Sequence, residues 1–179
     1  MTDAAPPPGT TRAEFHTGRY CISGDVFTGN DRRLIDSLRD PTRQYLEVKR
    51  LRTRAMDDGD EPVAEYSDGL LNKADVEWAA VIAEPPRAEA RLYGFVRKAP
   101  VRVALVLRSC RIEGNVHVES GSTDPVAFFL RGLEKGTERF IAVTSAIVTP
   151  APPGTEGPLG LAIVNRTAVR LFSVLRSSE

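Results

Sequence analysis

The sequence predicts an α+β fold, mainly β, built from two tandem repeats. Each repeat is expected to be a five-stranded bent sheet or small barrel, with one short helix inserted between strands two and three. Three observations predict it. The first is an ordered self-similarity at a spacing of about ninety residues: 22–26 recurs at 112–116, 34–39 at 126–131, 45–48 at 140–143 and 70–76 at 163–169. The second is period-two alternation, clearest in Ile112, Gly114, Val116 and Val118, which marks half-buried strands. The third is a single helix-start signal in the second copy, Asp124 as N-cap with Pro125 at the first helical position.

In the first copy, strands are expected at residues 12–16 and 20–27, a helix near 30–39, and strands at 45–56, 63–71 and 76–82. The acidic run Asp57, Asp58, Gly59, Asp60, Glu61 forms a hairpin tip between the third and fourth of these. In the second copy, the β-branched run 101–107 turns near Ser109 and Cys110 into 112–118, and Gly114 marks a bend or bulge. A helix at 126–133 stops near Gly136, and strands follow at 140–148 and 159–164, joined by the Pro/Gly-rich 150–158. A tight turn at Asn165 and Arg166 leads to a last strand at 169–175. The organisation is thus a flexible Pro-rich tail 1–9, repeat one 10–84, a connector 85–98 opened by Pro85 and Pro86, and repeat two 99–178.

Composition narrows the function classes. The 179 residues carry 24 Lys+Arg and 24 Asp+Glu, and this neutrality argues against a chain whose main task is wrapping nucleic acid. Two cysteines cannot build a disulfide framework or a four-cysteine zinc site. No apolar run reaches the roughly 20 residues of a membrane helix, and the N-terminus lacks a signal-peptide pattern, so a soluble cytoplasmic protein is expected.

Catalytic motifs are absent: there is no nucleophile elbow, no phosphate-cradling glycine loop and no zinc-protease helix. His16 and His117 read as isolated structural histidines, and Cys21 and Cys110 as small buried hydrophobes at the start of strand two. The acidic tip lacks the alternating ligand spacing of a calcium loop. No catalytic residue, cofactor or metal ligand is therefore assigned.

The strand order, the mid-strand glycine and the polar turn before the last strand resemble the Sm-like family of small five-stranded barrels. The matching positions are 101–107, 111–118 around Gly114, 140–148 and 163–169, with 71–76 as the corresponding junction in the first copy. The resemblance implies RNA contact by turn and strand residues. The sequence departs from the family where the helix falls between strands two and three, where an Asp…Asn pair is lacking, and where Lys73 and Arg166 are followed by Ala74 and Thr167 instead of glycine.

The expectation that follows is a non-catalytic structural or protein-interaction module, self-associating or part of a complex. The alternative is an Sm-like RNA-binding protein. Candidate contacts for either are the basic strand Lys49, Arg50, Arg52 and Arg54 and the turn residues Asn72, Lys73, Asn165 and Arg166. Residues 1–84 hold 11 basic and 16 acidic side chains, a net of −5, and residues 85–179 hold 13 and 8, a net of +5. Opposite charge on the two halves favours packing of one half on the other, or head-to-tail contact between molecules.

Overall fold

A computed structural model describes residues 6–30, 32–56, 64–84, 98–119, 124–134, 138–152 and 157–175. The chain divides into two compact units, Met1–Ala90 and Arg91–Glu179. The expected acidic tip, residues 85–97 of the connector and the Gly136 stop lie outside the described residues, whereas Lys98, its last residue, begins a strand.

Unit 1 contains β1 (Thr10–Thr17), β2 (Tyr20–Phe27), α1 (Leu34–Arg39), β3 (Tyr45–Ala55), β4 (Ala64–Asn72) and β5 (Val76–Ala83). All pairings are antiparallel, in the order β5-β1-β2-β3-β4. Unit 2 contains β6 (Lys98–Val106), β7 (Arg111–Glu119), α2 (Pro125–Glu134), β8 (Phe140–Thr149), β9 (Leu159–Asn165), a 3-10 turn (Arg166–Ala168) and β10 (Leu171–Val174). Its order is β10-β6-β7-β8-β9, the same pairing pattern.

The expected fold class is corrected by this topology. In place of an α+β pair of five-stranded repeats forming bent sheets or small barrels around inserted helices, the chain is mostly β. Among the described residues it has ten antiparallel strands of open sheet and two short helices. Alternation reveals where strands are, but closure depends on which distant strands pair. Among the described residues β4 ends the order with β3 beside it and β10 ends it with β6 beside it, so each is an edge strand and no barrel seam is formed there. Helices of six and ten residues are too short to supply an α layer. Among the described residues no helix is long and apolar enough to cross a membrane.

Each unit bends at the same device. In β2 the register against β3 slips between Ser23 and Asp25, and in β7 the register against β8 slips between Glu113 and Asn115. The extra residues on the facing strands are Arg50 and Ser145, both at φ 51°. Gly24 and Gly114 sit inside the two bulges. A Cβ on Gly24 would lie 2.5 Å from Val48 Cγ1 and 2.9 Å from the Lys49 carbonyl, and one on Gly114 2.6 Å from Val143 Cγ1 and 2.8 Å from the Thr144 carbonyl. Neither strand has room for a side chain there.

A non-glycine residue in the left-handed region carries a steric cost that glycine avoids. Ser145 is exposed and occupies that region. Ser145→Gly is therefore expected to stabilise unit 2 by roughly 0.5–1 kcal/mol after glycine's larger entropy loss. The check is a small upward shift in thermal midpoint.

Candidate functional site

β1 and β2 form a hairpin whose register sets the site. Glu14 and His16 are two apart on β1, so their side chains share a face. His16 is the cross-strand partner of Cys21, and Glu14 of Ser23. On β3, Arg54 pairs with Cys21 and Arg52 with Ser23, while on β5 Trp78 pairs with His16. Sequence-distant polar groups are thus gathered by ladder geometry alone.

One donor atom from each of Glu14, His16 and Cys21 lies within 4.8 Å of the others. Glu14 and Cys21 also line a cavity of about 260 Å³, together with Ser23, Arg52, Thr53, Arg54 and Glu65. His16 is 1% exposed, and among the described residues neither ring nitrogen has a hydrogen-bond partner. The Trp78 indole stacks on its imidazole with ring centroids 3.8 Å apart and planes 2° from parallel.

Burial dominates the electrostatics. It lowers the His16 pKa to about 4, helped by the positive charge of Arg54, so the imidazole is neutral near pH 7. Burial raises the Glu14 carboxyl, against the pull of Arg54. Burial first, then the nearby Glu14 charge, pushes the Cys21 thiol up to about 11, with Arg54 opposing. A neutral imidazole beside a protonated thiol is not the thiolate–imidazolium pair of a cysteine nucleophile. These donors match what a thiophilic cation takes: nitrogen, sulfur and oxygen from one hairpin.

The eight residues singled out from sequence have separate positions. Lys73 is buried, and its Nζ donates to the carbonyls of Ser37 (3.2 Å) and Asp40 (2.5 Å) at the C-terminal end of α1. Those carbonyls lack helical partners, and a cation there also meets the negative end of the helix dipole. Beside them the Thr42 hydroxyl, then its amide and Arg32, lower the Asp40 pKa to about 2. Arg166 is 1% exposed, donates from Nη1 to the Phe129 carbonyl of α2 (3.4 Å), and places Cζ 5.1 Å from the Phe128 ring centre and 5.7 Å from that of Phe129. The two cations fasten a helix to a turn in each unit.

Asn72 and Asn165 shape those turns. Asn72 Oδ1 accepts from the Ala74 amide at 3.1 Å, and Asn165 Oδ1 accepts from the Thr167 amide at 3.1 Å and the Thr167 hydroxyl at 2.8 Å. On β3, Arg50 turns back to Asp25, which it holds together with Arg12 at 3.0 Å. Arg52 pairs with Glu65 of β4 at 2.9 Å. Lys49 is exposed, in register with Asp68 of β4. Arg54 is half-buried beside the hairpin site.

Sequence reasoning missed the Glu14, His16 and Cys21 grouping. A Glu-x-His pair followed five residues later by Cys across a predicted hairpin was the available signal. His117, by contrast, is exposed and meets the Thr144 hydroxyl at 3.0 Å. Comparison with family models, with curated proteins and with solved structures finds no match to this chain.

Proposed function

We propose that the protein is a non-catalytic interaction module, built from an internal duplication, that associates through its open sheet edges. One observation carries this reading. Among the described residues β4 is a nine-residue edge strand, and it exposes the large side chains of Tyr66 (56%) and Leu70 (67%). Long edges with exposed apolar side chains are templates for adding another strand, and soluble proteins usually blunt them. The edge strand β10 adds exposed Leu171 and Val174 in unit 2.

The charge difference between residues 1–84 and 85–179 supports pairing of a β4 edge on one molecule with a β10 edge on another. The RNA-contact alternative draws less support. Lys73 and Arg166 are buried against helices, and Arg50 and Arg52 are engaged by acids of their own unit.

Leu70→Lys tests the proposal. The new ammonium would face Glu47 across the ladder, so the fold should tolerate it. The wild-type chain is expected to sediment above monomer mass at low salt, and the variant as a monomer. A wild-type chain that stays monomeric at low salt and high concentration overturns the proposal, as does an assembly that Leu70→Lys leaves unchanged.

A further inference from the structure

We propose that Glu14, His16 and Cys21 form a binding site for a zinc-class transition-metal ion, with carboxylate, imidazole and thiolate supplied by one β-hairpin. The three donors already lie within 4.8 Å of one another on a single face. Small side-chain rotations would bring them to the spacing that a tetrahedral ion requires.

His16 is the independent witness. Among the described residues both of its ring nitrogens are buried without a hydrogen-bond partner, with Nε2 3.9 Å from Glu14 Oε2, and buried polar groups are almost always satisfied. A bound ion gives one nitrogen its partner. Trp78, stacked flat on the ring, holds the imidazole plane in a fixed orientation, which is the role outer groups play around metal-bound histidine.

Comparison of the two units shows that the ladder does not need these residues. With Gly24 and Gly114 aligned, the registers put Ala104, Val106 and Arg111 where unit 1 has Glu14, His16 and Cys21. The same strands pair in the same way with two apolar residues and an exposed arginine. The polar trio is specific to unit 1, so scaffold demands do not account for it.

Charge and donor type select the ion. A divalent ion with one thiolate and one carboxylate sums to zero, which a neighbouring Arg54 tolerates. The thiol proton leaves to solvent as the ion enters. Sulfur and nitrogen donors disfavour calcium and magnesium and suit zinc, cobalt or copper. The adjoining cavity leaves room for water as a fourth ligand.

The full chain, stripped with chelator under reducing conditions, is titrated with Co²⁺ as a spectroscopic probe and then with Zn²⁺. One Co²⁺ per chain is expected, with visible d–d bands of tetrahedral intensity and a near-ultraviolet thiolate-to-cobalt band, all erased by one equivalent of Zn²⁺. Cys21→Ser should lose the thiolate band, and Cys110→Ser should keep it. Glu14→Gln should keep the band but bind at least about tenfold more weakly. Absence of saturable binding in the folded wild type overturns the site, as does a spectrum without a thiolate band. So does a band that survives Cys21→Ser. If Cys21→Ser does not fold, the wild-type spectrum together with Cys110→Ser and Glu14→Gln decides the matter.

Discussion

Gly114→Ala is expected to destabilise unit 2 by about 3 kcal/mol, at the upper end of the overpacking range. The added methyl would meet Val143 Cγ1 at 2.6 Å, the Thr144 carbonyl at 2.8 Å and the Ala146 Cα at 3.2 Å. Two of those atoms are backbone, so no rotamer change relieves the clash, and β7 must separate from β8 at the bulge. Gly24→Ala should behave alike in unit 1, against Val48 and the Lys49 carbonyl. Gly160 is the control. No described residue comes within 4 Å of its Cβ position, and Gly160→Ala should be neutral or stabilising by about 0.5 kcal/mol. Urea unfolding with unchanged slope measures all three. Equal midpoints for Gly114→Ala and Gly160→Ala would refute the steric account.

Arg166→Ala is expected to cost about 2–5 kcal/mol, because it strips the packing from Phe128 and Phe129 and leaves a void beneath α2. The guanidinium occupies the space above Gly132, and a Cβ at 132 would fall on Nη1. Gly132→Ala alone should therefore cost about 1–3 kcal/mol by displacing Arg166 from Phe128, Phe129 and the Phe129 carbonyl. Once Arg166 is gone, the methyl enters vacated space, and the second substitution should add almost nothing. The double-mutant cycle is then strongly non-additive, with a coupling of about 2 kcal/mol. Additive losses would mean that the helix and the turn do not share this contact.

Much of the local structure was legible. The strand at 112–118, the glycine bend inside it, and the start of α2 at Asp124 and Pro125 follow from alternation and capping chemistry, and all are local in sequence. The open edges were not legible, because pairing of β4 or β10 is decided by chain segments far away. In sequence, Lys73 and Arg166 are turn residues that serve as candidate contacts for a partner. Only tertiary packing puts helix carbonyls and aromatic rings against them. The hairpin site was missed for a related reason. Glu14, His16 and Cys21 look unrelated along the chain, and it takes the β1–β2 register to bring them to one face.

The bulges also act as phase markers. Along β3 the inward positions step from Val48 to Leu51, and along β8 from Val143 to Ala146, a stride of three where a regular strand takes two. Arg50 and Ser145 are the spacers that absorb the odd residue. Because each comes before the half of its strand that carries Leu51 or Ala146, it sets the parity of everything downstream. Straightening either bulge with its extra residue still in place would act like a frameshift in three dimensions: the sequence would be unchanged, yet the downstream half of the strand would turn inside out. In unit 1 that would exchange Arg52 and Arg54 with the apolar row behind them. The identity of one face of the sheet thus hangs on the backbone geometry of a single bend.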